Sequence, residues 1–240
     1  MQTQYEFSIN GEDLIADLSG AIFWPAQAML IVADLHFEKA SAFAARGVAL
    51  PPYDTTATLE RLAAAFERFR PQRFTSLGDA FHDDDWPARM TARDRAELAR
   101  LAAMAETVWV TGNHDPSAPV GLPGKAVAVF RPQGDTDLVM RHEPIARGPG
   151  AQGFEAGELA GHLHPCAKVR QRGRSLRRRC FVHDGTRAIL PAFGALTGSL
   201  NVRDAAFDDM FDGTDYAAVL MGRARLAVIE PQRLLPDRPR

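Results

Sequence analysis

A chain of 240 residues that is 46% hydrophobic and 24% charged is long enough to bury a sizeable core and has the balance of an ordinary globular domain. Its formal net charge of −2 argues against wholesale electrostatic attraction to nucleic acid or membrane and leaves room only for a local basic patch. No apolar run reaches the ~18 residues of a membrane span, and no secretory pattern opens the chain. With no CxxC spacing, Cys166 and Cys180 read as reduced thiols, and the cytoplasm is the expected compartment.

The first elements are strands. Tyr5–Ile9, Leu14–Leu18 and Ala21–Trp24 are separated by Asn10-Gly11 and Ser19-Gly20, the first of which is a favoured hairpin turn. Met29–Ala33 is a continuous apolar run, as in a strand buried on both faces, and it delivers Asp34 and His36 at its C-terminal end. Residues two apart in extended chain point the same way, so these two side chains can reach one ion. Ser41–Pro52 reads as a loop or short helix. Apolar residues at Leu59, Leu62, Ala63, Phe66 and Phe69 predict a helix over Thr55–Phe69, with Asp54 or Thr55 as N-cap and Pro71 as the stop.

Phe74–Leu77 is the next strand and ends in Gly78-Asp79. An acidic loop (Asp83-Asp84-Asp85) precedes an Ala/Leu/Arg helix over Arg89–Met104. The strand Thr107–Thr111 then runs into Gly112-Asn113-His114-Asp115, which sets an amide, an imidazole and a carboxylate at one tight turn. Beyond Lys125 the helical signal fades. Ala126–Phe130, Leu138–Met140, Glu158–Ala160, Ala167–Arg170, Arg179–Val182 and Arg187–Leu190 read as strands between Gly, Pro and Asp turns. Ala217–Val228 reads as strand interrupted at Gly222, and 231–240 as a frayed tail after a single domain over 1–230. The whole is an α/β chain with two sheets and helices outside.

Metal-ligand residue types recur at the ends of these strands. Asp34, His36, Asp79, Asn113, His142, His162 and His164 comprise two carboxylates, one amide and four imidazoles. Open α/β sheets bind at the C-terminal ends of their strands, so the positions are mutually compatible. The set is too large for one tetrahedral ion and suits two divalent ions with water completing each shell. Asp79, alone on its strand, is the natural bridge between them. A mixed N/O shell with open positions favours Mn, Fe or Zn over Mg and does not choose among the three; Mn is the ion expected, with Fe and Zn as alternatives. Such a site hydrolyses phosphate esters by holding hydroxide between two cations, in line with the leaving oxygen.

The order Asp-x-His, Gly-Asp, Gly-Asn-His-Asp, His, Gly-His-x-His over roughly residues 29–195 resembles the calcineurin-like metallophosphoesterase superfamily. That resemblance implies a four-layer α-β-β-α sandwich with two mixed sheets. It also implies one metal on Asp34, His36 and His164, a second on Asn113, His142 and His162, and Asp79 between them. His114 would contact the scissile phosphate or protonate the leaving oxygen, with Asp115 as its partner. Gly78-Asp79-Ala80-Phe81-His82 and Asn113-His114-Asp115 depart from the Ser/Thr phosphatase pattern and move weight to phosphodiesterases.

Asp34-Leu35-His36-Phe37-Glu38-Lys39, the Arg46-Gly47 to Leu50-Pro51-Pro52 loop and residues 190–198 look like the bacterial ligase-associated DNA damage response endonuclease family. This likeness implies a nuclease working beside an ATP-dependent DNA ligase and a helicase in repair. Lys168, Arg170, Arg172, Arg174, Arg177, Arg178 and Arg179 follow the last motif. Alternation would set the first four on one face of a hairpin that could grip DNA phosphates, or form a solvated edge that resists aggregation. A small phosphodiester or phosphomonoester as substrate, and a scaffold without activity, are the competing readings. The expectation for His82 is a solvated loop, for Glu38 and Lys39 surface charge, and for His183 no role.

Overall fold

The computed structural model describes residues 2–147 and 152–237. The first half builds a sheet in the order β1-β2-β3-β4-β5-β6-β7, from β1 (Gln4–Ile9), β2 (Glu12–Asp17), β3 (Ile22–Trp24), β4 (Met29–Val32), β5 (Arg73–Leu77), β6 (Glu106–Val110) and β7 (Lys125–Val127). The short turns leave β1 to β4 antiparallel, whereas β4 to β7 are parallel. Parallel pairing needs crossovers. They are supplied by α1 (Lys39–Ala45) with α2 (Asp54–Phe69), and by α3 (Trp86–Arg89) with α4 (Ala92–Ala103).

A single helix over 89–104 does not form. Thr91 adopts extended backbone and its hydroxyl accepts from Asp94 N, so it caps a new helix and separates α3 from α4. The apolar stripe of α2 (Leu59, Leu62, Phe66) and Leu98 and Leu101 of α4 bury against Leu30, Val32, Phe74 and Trp109 on the outer face of this sheet.

The segment expected as one strand over Ala126–Phe130 divides. After β7 the chain leaves the first sheet, and β8 (Val129–Phe130) opens the second. That sheet runs β14-β11-β12-β13-β10-β9-β8. It contains β9 (Val139–Arg141), β10 (Glu158–Ala160), β11 (Pro165–Gln171), β12 (Arg174–His183), β13 (Arg187–Ile189) and β14 (Leu200–Asn201). β15 (Ala217–Met221) and β16 (Leu226–Ile229) form a hairpin on β12, turning at Gly222. Strand β14 left no signal beyond two residues between turns.

The inner faces of the two sheets share one apolar layer, in which Ile31, Leu77 and Val110 meet Leu159, Phe181 and Val219. The outer face of the second sheet is covered by 3₁₀ turns and loops rather than long helices, with Phe207, Phe211 and Leu234 filling that layer. The stretch expected to fray is docked as far as 237. Leu234 is buried, Leu235 N donates to Lys168 O, and Asn201 Nδ2 donates to Leu235 O. Residues 238–240 lie outside the described residues. Both cysteines are free and buried, His183 packs its ring on Tyr5 and Phe7, and among the described residues no helix is long and apolar enough to cross a membrane.

Candidate metal centre

Every one of the seven candidate ligands lies in the loops at one edge of the apolar layer, just past a strand end. Asp34 follows β4, Asp79 follows β5 and Asn113 follows β6, while His142 follows β9 and His162 follows β10. The two sheets are stitched together there. The His142 ring Nδ1–H donates to Leu77 O at 3.1 Å, and His162 N donates to Asp34 Oδ2 at 3.0 Å. The first of these contacts commits His142 Nδ1 to the Leu77 carbonyl and turns Nε2 into the cluster.

The donor atoms gather in two groups. In one, His36 Nε2 lies 3.3 Å from His164 Nε2, and His164 Nε2 lies 3.2 Å from Asp34 Oδ1. In the other, Asn113 Oδ1 lies 2.9 Å from His142 Nε2 and 3.1 Å from His162 Nδ1. Asp79 Oδ2 stands between them, 3.7 Å from His36 Nε2 and 3.4 Å from His142 Nε2. Asp34, His36 and His164 form one compact set of metal-competent atoms, and Asp34, Asp79 and His142 another.

The backbone is bent to make this happen. Asp34, His36, Asp79, His162 and His164 all have φ between 45° and 66°, where a side chain is disfavoured. Each such residue costs of order 1 kcal/mol, and five in one cluster of loops persist only where the surroundings over-determine them. Two motif glycines are required by close approach. A Cβ on Gly112 would sit 2.1 Å from Asp79 Oδ1, and one on Gly78 would sit 2.3 Å from His142 Nδ1.

The electrostatics suit cations. Burial drives His36 down to about 2, so its ring is neutral and ready to ligate. Burial also opposes charge on His142, but the Asp79 and Asp34 carboxylates and the Leu77 carbonyl outweigh it and lift His142 to about 9. Below that pH the metal-free protein carries a proton on His142 Nε2, where a cation has to bind. Divalent metal affinity is therefore expected to rise about tenfold per pH unit from ~7 to ~9 and then level off. Calorimetric titrations across that range check it, and a flat profile would place the displaced proton elsewhere.

His114 and Asp115 take separate tasks. The His114 ring Nδ1–H donates to His82 O at 2.9 Å, and the ring stacks on His82 with centroids 4.8 Å apart. Its backbone N–H donates to Asp79 Oδ1 at 2.9 Å. Asp115 is not the partner of the His114 ring. Its buried carboxylate accepts from the backbone N–H groups of Asp79 and Gly112 at 3.0 Å and of Phe81 at 3.2 Å, which ties the loops after β5 and β6 together. Local geometry explains the change: Asp115 folds back over Gly112 N–H of its own turn and reaches the Asp79 and Phe81 N–H groups of the loop after β5.

Three expectations of exposure are overturned in the same region. His82 is buried, and its carbonyl orients His114. Glu38 is buried, accepting from Ser41 and Thr55 hydroxyls, and Lys39 is half-buried with Asp79, Asp54 and Asp34 around it. The signal for His82 was its place three residues past Asp79, in the loop that has to pass the ligands.

The arginine hairpin forms, but its faces differ from simple alternation. Lys168 pairs with Arg177 and Arg170 with Ser175, whereas Arg174 pairs with Gln171 on the opposite face and Arg172 occupies the turn. Several of its cations are already engaged. Arg179 donates to Ala192 O, Gly194 O and Thr197 Oγ1, Arg177 to Ser199, and Lys168 to Pro236 O and Asp237 O.

No protein-family model matches the chain, and no curated protein does. Among solved structures, the Pseudomonas putida nuclease MPE matches with 29% identity over 93% of this chain and 100% of that one, at a TM-score of 0.67. The phosphoesterase Yfce from E. coli matches with 14% identity over 84% of this chain and 98% of that one, at a TM-score of 0.42, too distant to add weight.

Proposed function

We propose that this metallophosphoesterase-type chain, of a nuclease-related family, is a metal-dependent hydrolase of phosphodiester bonds. The observation that carries the reading is the pair of donor groups with Asp79 Oδ2 between them, in one of which two imidazole Nε2 atoms stand 3.3 Å apart beside Asp34 Oδ1. Two divalent cations bound there, Mn foremost and Fe or Zn as substitutes, would supply charge to clamp the phosphoryl oxygens and to activate a water.

The protein's own residues do the rest. Asp34, His36 and His164 would hold one cation and Asn113, His142 and His162 the other, with Asp79 between the two sets. His114, with Nδ1 committed to His82 O, presents Nε2 to the phosphate or to the leaving oxygen. Asp115 holds the two loops in register and acts by positioning.

Resemblance of the loops around the motifs extends the reading to DNA repair in the cytoplasm, beside an ATP-dependent ligase and a helicase. The exposed hairpin tip with Arg170, Arg172 and Arg174 supports DNA as substrate. The engagement of Lys168, Arg177 and Arg179 inside the protein favours the second reading, a small phosphodiester. The deciding experiment reconstitutes metal-free protein with Mn, Fe or Zn and follows bis-p-nitrophenyl phosphate beside labelled DNA. Cleavage of both is expected. Diester cleavage with intact DNA would move the substrate to a small molecule, and inactivity on both would overturn the proposal.

A further inference from the structure

Two clefts flank the arginine hairpin. The first, about 550 Å³, lies between β12, α2 and the loop 192–199, and it holds Arg61, Arg177, Arg178 and Arg179. The second, about 500 Å³, lies between the β11–β12 and β15–β16 hairpins and adds Arg170, Arg223, Arg225 and Arg233. They are lined by nine and thirteen residues and share Arg178 and Gly222, so they adjoin. None of the lining residues is Asp or Glu, in a chain with 30 acidic against 28 basic residues. Chance clustering in a chain of that balance would bring carboxylates in with the guanidiniums.

Arg61 is the most informative of these residues. It lies on α2, stacked over the Phe193 ring at 4.6 Å, and its buried Nε and Nη2 have no hydrogen-bond partner among the described residues. Burial first, and then the Arg179 charge, bring its pKa down to about 10. An unpaired guanidinium beside a like charge is costly unless an anion joins them. Among the arginines of the two clefts, Arg177 has an ion pair within the described residues, with the half-exposed Asp237 at 3.5 Å.

The first cleft is mechanically continuous with the metal centre. The loop that forms its wall hydrogen-bonds to the ligand-bearing strand end, with Gly194 N donating to Asp34 O and Phe193 N to Ala33 O. Its other side is held by Arg179, and by Thr58 Oγ1, which accepts from Ala195 N one turn before Arg61. The second cleft has an apolar floor of Val169, Leu176, Ala227 and Ile229, over which sugars and bases can lie while phosphates meet the rim.

We infer that these adjoining clefts bind phosphate groups of a nucleic-acid strand away from the scissile bond, with Arg61 and Arg178 on the metal side and Arg223 and Arg225 beyond. The inference rests on the nuclease reading above and gives the strand a course over this surface. Guanidiniums suit the task because they bind phosphate bidentately and stay charged.

The test measures binding without turnover. Full-length protein stripped of metal with EDTA is titrated into a fluorescent oligonucleotide, and separately against inorganic pyrophosphate. The Arg61→Gln/Arg178→Gln double variant is expected to lose about tenfold in oligonucleotide affinity, and its salt dependence should flatten by roughly 0.7 in log–log slope per phosphate contact removed. Arg61→Lys, which keeps the charge over Phe193, should recover most of the affinity. If Arg61→Gln fails to fold, Arg223→Gln/Arg225→Gln on the exposed turn carries the same expectation. Oligonucleotide binding that ignores both pairs of changes overturns the inference, even if Mn-loaded protein cleaves DNA. Pyrophosphate binding that depends on Arg61 while oligonucleotide binding does not would also overturn it, in favour of a small phosphate ligand. Failure of the nuclease reading shows separately, as inactivity of the Mn-loaded wild type on every diester.

Discussion

Replacing His114 by Ala should lower turnover of a phosphodiester by roughly 10²–10⁴-fold, the usual share of a positioned acid or base, while leaving metal content nearly intact. The geometry explains the separation. The His114 ring stands outside both donor groups, with its Nδ1–H on His82 O and its face on the His82 ring. What it gives to the metal centre is a backbone N–H to Asp79 Oδ1, and Ala keeps that group. Turnover measured beside metal content by mass spectrometry checks the prediction. The loss should also be larger for DNA than for bis-p-nitrophenyl phosphate, because nitrophenolate leaves without much help from an acid whereas an alkoxide does not. Loss of the metals along with activity would instead make His114 a ligand. Equal losses on the two substrates would confine it to binding the phosphate.

Asp79→Asn should behave in the opposite way, losing metal and activity together. Its two oxygens have different tasks. Oδ1 accepts the His114 N–H, and Oδ2 faces His36 Nε2 at 3.7 Å and His142 Nε2 at 3.4 Å. An amide removes the charge, and it has to turn its NH₂ toward either the backbone donor or the cluster. Removing a hydrogen bond one shell out typically costs ~10–100-fold in metal affinity, and a change at the shared oxygen should cost more than that. Metal content and turnover measured at fixed free metal test this. A variant with full occupancy and no activity would mean that the two groups do not share Asp79. The same change removes the strongest influence holding a proton on His142, so the rise of metal affinity between pH ~7 and ~9 should shrink in the variant.

Much of the fold was readable because the signals were local. The helix α2 begins and ends within a residue of where its apolar period and Pro71 place it, although Tyr53 and not Asp54 or Thr55 stands at the N-cap, with no side-chain cap. The buried strands β4, β5 and β6 lie where short β-favouring runs, fully apolar only in β4, lead into Asp34, Gly78-Asp79 and Gly112-Asn113. Errors fell where a side chain chose among local options. Thr91 split a helix because its hydroxyl could cap one, and the chain between β7 and β8 changed sheets in the middle of an even apolar run.

The candidate ligand residues were legible for a different reason. Metal chemistry restricts side-chain types, and parallel strands restrict where they emerge, so Asp34, His36, Asp79, Asn113, His142, His162 and His164 could be assembled from sequence before any fold was in hand. The tasks of their neighbours could not. His82, Glu38 and Lys39 have the composition of surface segments, and only the packing of the start of α1 against α2, and of the loop after β5 against Phe43 and His114, takes them wholly or partly out of solvent. Asp115 reads like a partner for His114, yet the turn brings three backbone N–H groups closer to its carboxylate.

The sequence by itself therefore determined which side chains gather past the strand ends, since residue type and strand direction are properties of a few consecutive residues. Left-handed bends at Asp34 and His36, not the alternation of extended chain, aim those side chains. The tertiary structure alone decided what each charge near that centre faces. Burial, and the partner that compensates it, come from segments far apart in the chain, as Arg61 on α2 facing Arg179 on β12 demonstrates.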